Sequence, residues 1–259
     1  MLPETRSDLA AVLTGEHWWR YETPFPHVVA HNVFVPEVYG AIEDSFNREL
    51  ANGFGTEPGQ FTRQFPRDDE AFRLFGSRQW HDLLGEAMGV PGWGDVEAGI
   101  HHHEPGAASG FPHNDLNPGW FVGEGTELEV AMPRAEICNF YSGELYAEGY
   151  ERREMVRSVA MLYYVANPPW SPGDGGETGI YRSASCPIDR PASAIPPVNN
   201  SMMLFHCTPY SFHGYMGNNR HPRNSVILWL YVPRAEVADR WGKESIVEWK
   251  EAPGNGYAS

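Results

Sequence analysis

The sequence predicts a mainly β protein, closer to a jelly-roll sandwich than to alternating βα units, with helices in front of the sheet and one behind. Three observations carry this. Short runs rich in β-branched and aromatic residues recur from about residue 96 onward, most of them bounded by Gly, Pro or Asn clusters. The 27 Gly and 22 Pro among 259 residues suit a chain with many turns between short strands. Helical periodicity is confined to the residues before 96 and after 233, so strands and helices do not alternate.

Taken in order, residues 27–35 (HVVAHNVFV) read as a strand. Pro36 then opens a helix in which Val38, Ile42, Phe46 and Leu50 recur every four residues on one face. A second helical pattern covers about 69–89, using Phe72, Phe75, Leu83, Leu84 and Met88. The clearest strands are Val96–His103, Glu136–Ser142, Ser158–Ala166, Ser201–Cys207 and Ser225–Val232. SVAMLYYVA and SVILWLYV are the most continuously apolar and belong at the centre of a sheet. A final amphipathic helix is expected over Ala235–Glu251, using Val237, Trp241, Ile246 and Trp249. The organisation is one domain over 1–259: a helical front with an edge strand (1–95), a core (96–233) carrying an insertion at 121–154, and a C-terminal helix and tail (234–259).

Composition removes several function classes. With 19 Lys+Arg against 34 Asp+Glu, the net charge is −15, which argues against nucleic acid or an anionic membrane as partner. No apolar run approaches 18 residues and the N-terminus has no basic-then-apolar leader, so neither a membrane span nor a secretory signal is expected, and the default location is cytoplasmic. Cys138, Cys186 and Cys207 are odd in number and form no CxxC pair, which points to neither a disulfide framework nor structural zinc. Cys207 reads as a small buried apolar residue. Trp18, Trp19, Trp241 and Trp249 read as packing, with a homodimer interface as the alternative.

The histidines carry the chemistry. His113-Asn114-Asp115 is a His-x-Asp element, and residues i and i+2 of an extended segment face one way, so an imidazole and a carboxylate can reach one ion. About one such pair is expected by chance in this composition, and His102-x-Glu104 is a second match. A third ligand is available in His213, beyond the strand that ends near Cys207. Ten residues later comes Arg223, two before Ser225, again on one strand face. Two histidines and a carboxylate on one face of an octahedral Fe(II) leave three positions for a bidentate α-keto acid and O₂. A second carboxylate on that acid needs a cation, which Arg223 can supply. His206 competes with His213, and Arg220 with Arg223. The arginine spacing favours His213, while Ser225 and the strand it opens favour Arg223.

From about His113 to Tyr231 the chain resembles the iron(II)- and 2-oxoglutarate-dependent oxygenases of the prolyl-hydroxylase branch. The matching pieces are HNDLNPG (113–119), MLYYVAN (161–167), GDGGETGIY (173–181), NNSMMLFHCTPYSFHGY (199–215) and RNSVILWLY (223–231). Residues 1–95 carry only a generic likeness to the helical front of such enzymes. The resemblance implies a double-stranded β-helix (jelly roll) core with flanking N- and C-terminal helices. It implies Fe(II) on His113, Asp115 and His213. It also implies 2-oxoglutarate held by Arg223, with Ser225 and Tyr164 as helpers and Trp229 facing the pocket. The activity implied is a 2-oxoglutarate-dependent dioxygenase using O₂ and releasing succinate and CO₂, most simply a hydroxylase. Asp115 occupies the position that a halogenating relative leaves open.

Three readings stay in play: oxidation of a small molecule such as an amino acid or specialised metabolite, hydroxylation of a protein side chain, and a cupin-like metal-binding module. The 121–154 insertion holds eight Glu and three Arg. It reads either as a solvated acidic loop around the extra strand 136–142 or as a wall over the metal, where its acids would suit an amine-bearing substrate. His101 and His103 alternate on one face with a polar-strand or substrate-side role ahead of a second metal.

Overall fold

The computed structural model describes residues 2–15, 18–53 and 60–249. The front consists of α1 (Arg6–Val12), β1 (Trp18–Tyr21), β2 (His27–His31), α2 (Pro36–Ala51), β3 (Gln60–Gln64) and α3 (Arg78–Met88). The core follows as β4 (Val96–His103), β5 (Pro118–Val122), β6 (Arg152–Tyr164), β7 (Thr178–Tyr181), β8 (Ser193–Ile195), β9 (Ser201–His206), β10 (Phe212–Tyr215) and β11 (Arg223–Pro233), closed by α4 (Arg234–Trp241). Mainly β, with antiparallel sheets and helices at both ends, this is the predicted class.

The large sheet runs β1-β2-β9-β6-β11-β4-β3, with β5 paired to β6, and β10-β7-β8 form a second sheet. The two most apolar strands, β6 and β11, lie side by side at its centre, Ser225 opposite Tyr164 and Trp229 opposite Ala160. On the other edge of β11, Arg223 faces His103, Ser225 faces His101 and Trp229 faces Glu97. That register puts Arg223, Ser225 and Trp229 on one face with His101, His103 and Glu97. The second sheet packs across this inner face: Thr178 of β7 hydrogen-bonds the Tyr164 hydroxyl at 2.7 Å, and the Phe205 and His213 rings lie 4.6 Å apart.

Local structure departs from the sequence expectation in four places. The helix expected over 69–89 is split into a 3-10 turn (Phe72–Leu74) and α3. The Gly76 carbonyl accepts from Val130 and the Arg78 N–H donates to Leu128, so the insertion takes backbone groups a continuous helix would use. The Ser77 hydroxyl then restarts the helix as its N-cap, accepting from Trp80 N–H. Residues 136–142 form turns and not a strand, because the Asn139 side chain accepts from the N–H groups of Tyr141 and Ser142. The terminal helix stops at Trp241 and not near 251, since Gly242 turns the chain at φ +86 into a short 3-10 turn, Lys243–Ser245; Glu251 lies outside the described residues. The insertion is also shorter as a loop than expected, since β5 runs to Val122 and β6 begins at Arg152.

α3 is seated by aromatic packing. Phe75 meets Phe34, Trp80 and Tyr163 with ring centroids 5.4 to 6.1 Å apart, all four fully buried. Replacing Phe75 by Ala is expected to cost about 3–5 kcal/mol, because the cavity cannot close among rigid rings. Denaturant unfolding measures it, and a loss under about 1 kcal/mol would place the cluster outside the cooperative core.

Candidate metal centre

His113, Asp115 and His213 converge. Their ligand atoms all lie within 4.8 Å of one another. An antiparallel bridge between the His113 and His213 backbones sets the two rings 4.5 Å apart. His113 Nδ1 is 2.9 Å from the Phe111 carbonyl and His213 Nδ1 is 3.3 Å from that of Ser211, which leaves both Nε2 atoms for a ligand. Those Nε2 atoms stand 3.7 and 3.5 Å from the Asp115 carboxylate.

Asp115 is only 3% exposed. Burial pushes its carboxyl up, but His213, Arg157, His113 and the Trp229 N–H outweigh it and hold the group down at about 2. For His213, burial dominates and takes the ring down to about 4. Both groups are therefore in the ligating form at neutral pH, an ionised carboxylate beside a neutral imidazole. This nitrogen–oxygen donor set fits a divalent iron ion with open positions.

A second layer fixes the carboxylate. Trp229 Nε1 donates to Asp115 Oδ2 at 2.7 Å, and Arg157 Nη1 lies 3.5 Å from Oδ1. Arg157 sits 3.6 Å over the Trp229 ring and donates to Glu97 Oε2 at 2.8 Å, with the Tyr231 hydroxyl closing the triangle on the same oxygen at 2.6 Å.

Arg223 marks the other end. It is 3% exposed, and no carboxylate among the described residues pairs with it. Its Nε donates to the Gly176 carbonyl at 3.2 Å and Nη2 to Thr178 Oγ1 at 2.9 Å. Gly175 and Gly176, at φ +76 and +82, make the turn that brings both acceptors under the guanidinium. Ser225 lies 3.5 Å from Nη1, and Tyr164 shares the Thr178 hydroxyl while its ring lies 5.2 Å from the guanidinium. Ser225 and Tyr164 thus stand behind Arg223; neither lines the cavity, whereas Thr178 does.

The metal cluster and Arg223 open into one cavity of about 1100 Å³. The competing residues lie elsewhere: Glu104 pairs with His102 at 3.3 Å, His206 faces Val159 across β9 and β6, and Arg220 is exposed beside Asp174. Sequence reasoning missed Thr178, Arg157 and Glu97. Arg157 left a signal, a charge set between Met155-Val156 and the apolar run that begins at Ser158, which a buried strand tolerates only when paired. The insertion supplies Met132, Pro133, Ala135, Phe140 and Tyr141 to the cavity wall, and none of its glutamates. Three of those acids pair outside the cavity instead, Glu129 with Arg73, Glu136 with Arg134 and Glu154 with Arg234.

Residues 113–231 match the family model of the 2OG-Fe(II) oxygenase superfamily, a span that contains the three converging ligands, Thr178 and Arg223. Through this segment the chain belongs to that superfamily. It is a 2-oxoglutarate-dependent, non-haem iron dioxygenase, which uses Fe(II), 2-oxoglutarate and O₂, and the binding-module alternative falls. Among solved structures, a Pseudomonas putida prolyl-4-hydroxylase matches at TM-score 0.50 and 20% identity, over 85% of this chain and 96% of that one. A Trichoplax adhaerens prolyl hydroxylase, solved with a hypoxia inducible factor peptide fragment, matches at TM-score 0.50 and 14% identity, over 82% and 86%. Comparison with curated proteins gives no match. No helix among the described residues is long and apolar enough to cross a membrane.

Two outcomes follow for this oxygenase. Asp115→Ala should weaken Fe(II) binding, read by calorimetry, by more than about a hundredfold, while Glu104→Ala and His206→Ala leave it unchanged; the reverse ranking would reassign the site. Burial lowers His101 to about 3 and His206 to about 4, against 6.5 for the free ring. The unfolded chain therefore binds protons that the folded one excludes. Stability of the metal-free protein is full above about pH 6.5 and declines toward pH 4, by up to about 1.4 kcal/mol per ring per pH unit. Denaturant midpoints that stay flat from pH 7 to 5 would contradict this.

Proposed function

We propose that this oxygenase hydroxylates an unactivated C–H bond of a small molecule, such as an amino acid or specialised metabolite. His113, Asp115 and His213 hold Fe(II), and Arg223 with Thr178 holds the distal carboxylate of 2-oxoglutarate. The observation that carries the small-molecule reading is the insertion, whose Met132, Pro133, Phe140 and Tyr141 wall the cavity that the metal cluster opens into. The wall is apolar and aromatic, so the acidity of the insertion lends no support to an amine-bearing substrate.

Bound iron, with 2-oxoglutarate and O₂, supplies the oxidation: decarboxylation to succinate and CO₂, and transfer of one oxygen atom to the substrate carbon. The chain supplies the rest. Trp229 and Arg157 keep the Asp115 carboxylate ionised and fixed in direction. The Phe111 and Ser211 carbonyls keep the Nε2 atoms of the two histidines turned to the centre. Arg223, buried without a carboxylate of its own, gives a diacid co-substrate one orientation. The apolar wall keeps bulk water from the reacting carbon.

Hydroxylation of a protein side chain is the second reading, favoured by the aromatic rim of the cavity, where Phe111 and Tyr141 are 42% and 44% exposed, and by the peptide-bound Trichoplax structure. Succinate release across panels of amino acids, small metabolites and peptides separates them. Stimulation by a small molecule is expected, and stimulation by peptides alone overturns the first reading. Arg223→Gln should raise the Kd for 2-oxoglutarate about a hundredfold, as loss of a buried charge-assisted contact does.

A further inference from the structure

Beside Arg223 the cavity carries two polar atoms that nothing above explains. His101 and His103 sit two residues apart on the inner face of β4, ring centroids 6.4 Å apart, and both line the cavity. The Nε2 atom of each is buried and has no hydrogen-bond partner among the described residues. A buried nitrogen left without a partner is costly, so two on one wall call for a ligand. His103 is the nearer to Arg223: the two residues face each other across β4 and β11, and His103 Nδ1 lies 3.5 Å from Arg223 Nη1. A guanidinium only donates, which assigns the acceptor role to Nδ1 and the hydrogen to Nε2. The ring packs against that of Tyr215, tilted by 36° with centroids 4.1 Å apart. Burial first, then Arg223, keeps the His103 ring neutral, so it offers a single N–H without adding a charge that would repel Arg223.

We propose that His103 is a co-substrate-binding residue, its Nε2–H donating to the distal carboxylate of 2-oxoglutarate beside Arg223 and so selecting for a diacid. The inference rests on the proposed role of Arg223. A carboxylate that meets Arg223 and Thr178 at this corner meets the His103 wall as well, since the three lie around one end of the cavity. It also explains why a histidine is tolerated at 1% exposure in the middle of the inner face.

The test is anaerobic calorimetry of the Fe(II)-loaded protein with 2-oxoglutarate and with 2-oxobutyrate, which lacks the distal carboxylate. His103→Phe should raise the Kd for 2-oxoglutarate about ten- to a hundredfold and leave 2-oxobutyrate and Fe(II) binding unchanged, with His103→Gln recovering most of the loss. Equal weakening of both acids, or of neither, overturns the proposal. Should the Phe variant fail to fold, ¹⁵N-histidine NMR of the wild-type chain decides. A protonated His103 Nε2 that shifts on adding 2-oxoglutarate but not 2-oxobutyrate supports it, and an Nδ1–H tautomer or no shift sinks it. If the wild-type chain binds no 2-oxoglutarate, the Arg223 reading itself fails. If it binds and His103 variants are indifferent, only the histidine is wrong.

Discussion

A carboxylate buried to 3% exposure sets the terms for everything around it. Asp115 cannot stay ionised in the interior without compensation, and isolated it would take up a proton and cease to be a metal ligand. The fold meets that demand from three directions. β11 brings the Trp229 N–H, β6 brings Arg157, and the bridge between residues 113 and 213 brings the two imidazoles. Arg157 is itself buried and would be as costly alone. Glu97 on β4, Tyr231 on β11 and the face of Trp229 neutralise and hold it. The site is thus a chain of compensations across the three central strands, and it exists only when their register is correct.

The two buried guanidiniums differ in a way that separates structure from binding. Arg157 has a carboxylate from the protein on either side, Glu97 and Asp115. Arg223 has a carbonyl, two hydroxyls and an imidazole, all neutral. With both cations buried, the first is neutralised by carboxylates of the fold and the second has only neutral partners among the described residues. Removing one partner of a buried pair typically costs about 3–5 kcal/mol, so Arg157 and Glu97 belong to stability and to the direction of Asp115. Arg223 has no such carboxylate partner among the described residues, which is what the proposed role in holding a diacid draws on.

What could be read from sequence follows the same division. His113 with Asp115, and Arg223 with Ser225, were legible because their juxtaposition is local, two residues apart on an extended segment. His213 was legible through its distance to Arg223. The central strands were legible because a continuous apolar run has few other places to go. Thr178, Glu97 and the facing of His103 on Arg223 were not, since they depend on which strands pair and in what register. The false strand at 136–142 and the over-long helices have a common cause. Periodicity reports a face and not the backbone bonds, and an Asn139 side chain, a Gly242 turn and the docking of Leu128 and Val130 redirect those bonds.

The insertion shows how far bulk charge misleads at this scale. Its glutamates supply much of the acidity of the chain, yet the residues it turns inward are Met132, Pro133, Ala135, Phe140 and Tyr141. Charged side chains keep their hydration by facing out or pairing at the surface, as Glu129 and Glu136 do with Arg73 and Arg134. The polar groups left inside the cavity come almost wholly from the sheets and the loop bearing the ligands. The metal cluster and Arg223 are therefore held by the sheets and the loop bearing His113 and Asp115, while the insertion contributes an apolar part of the cavity wall.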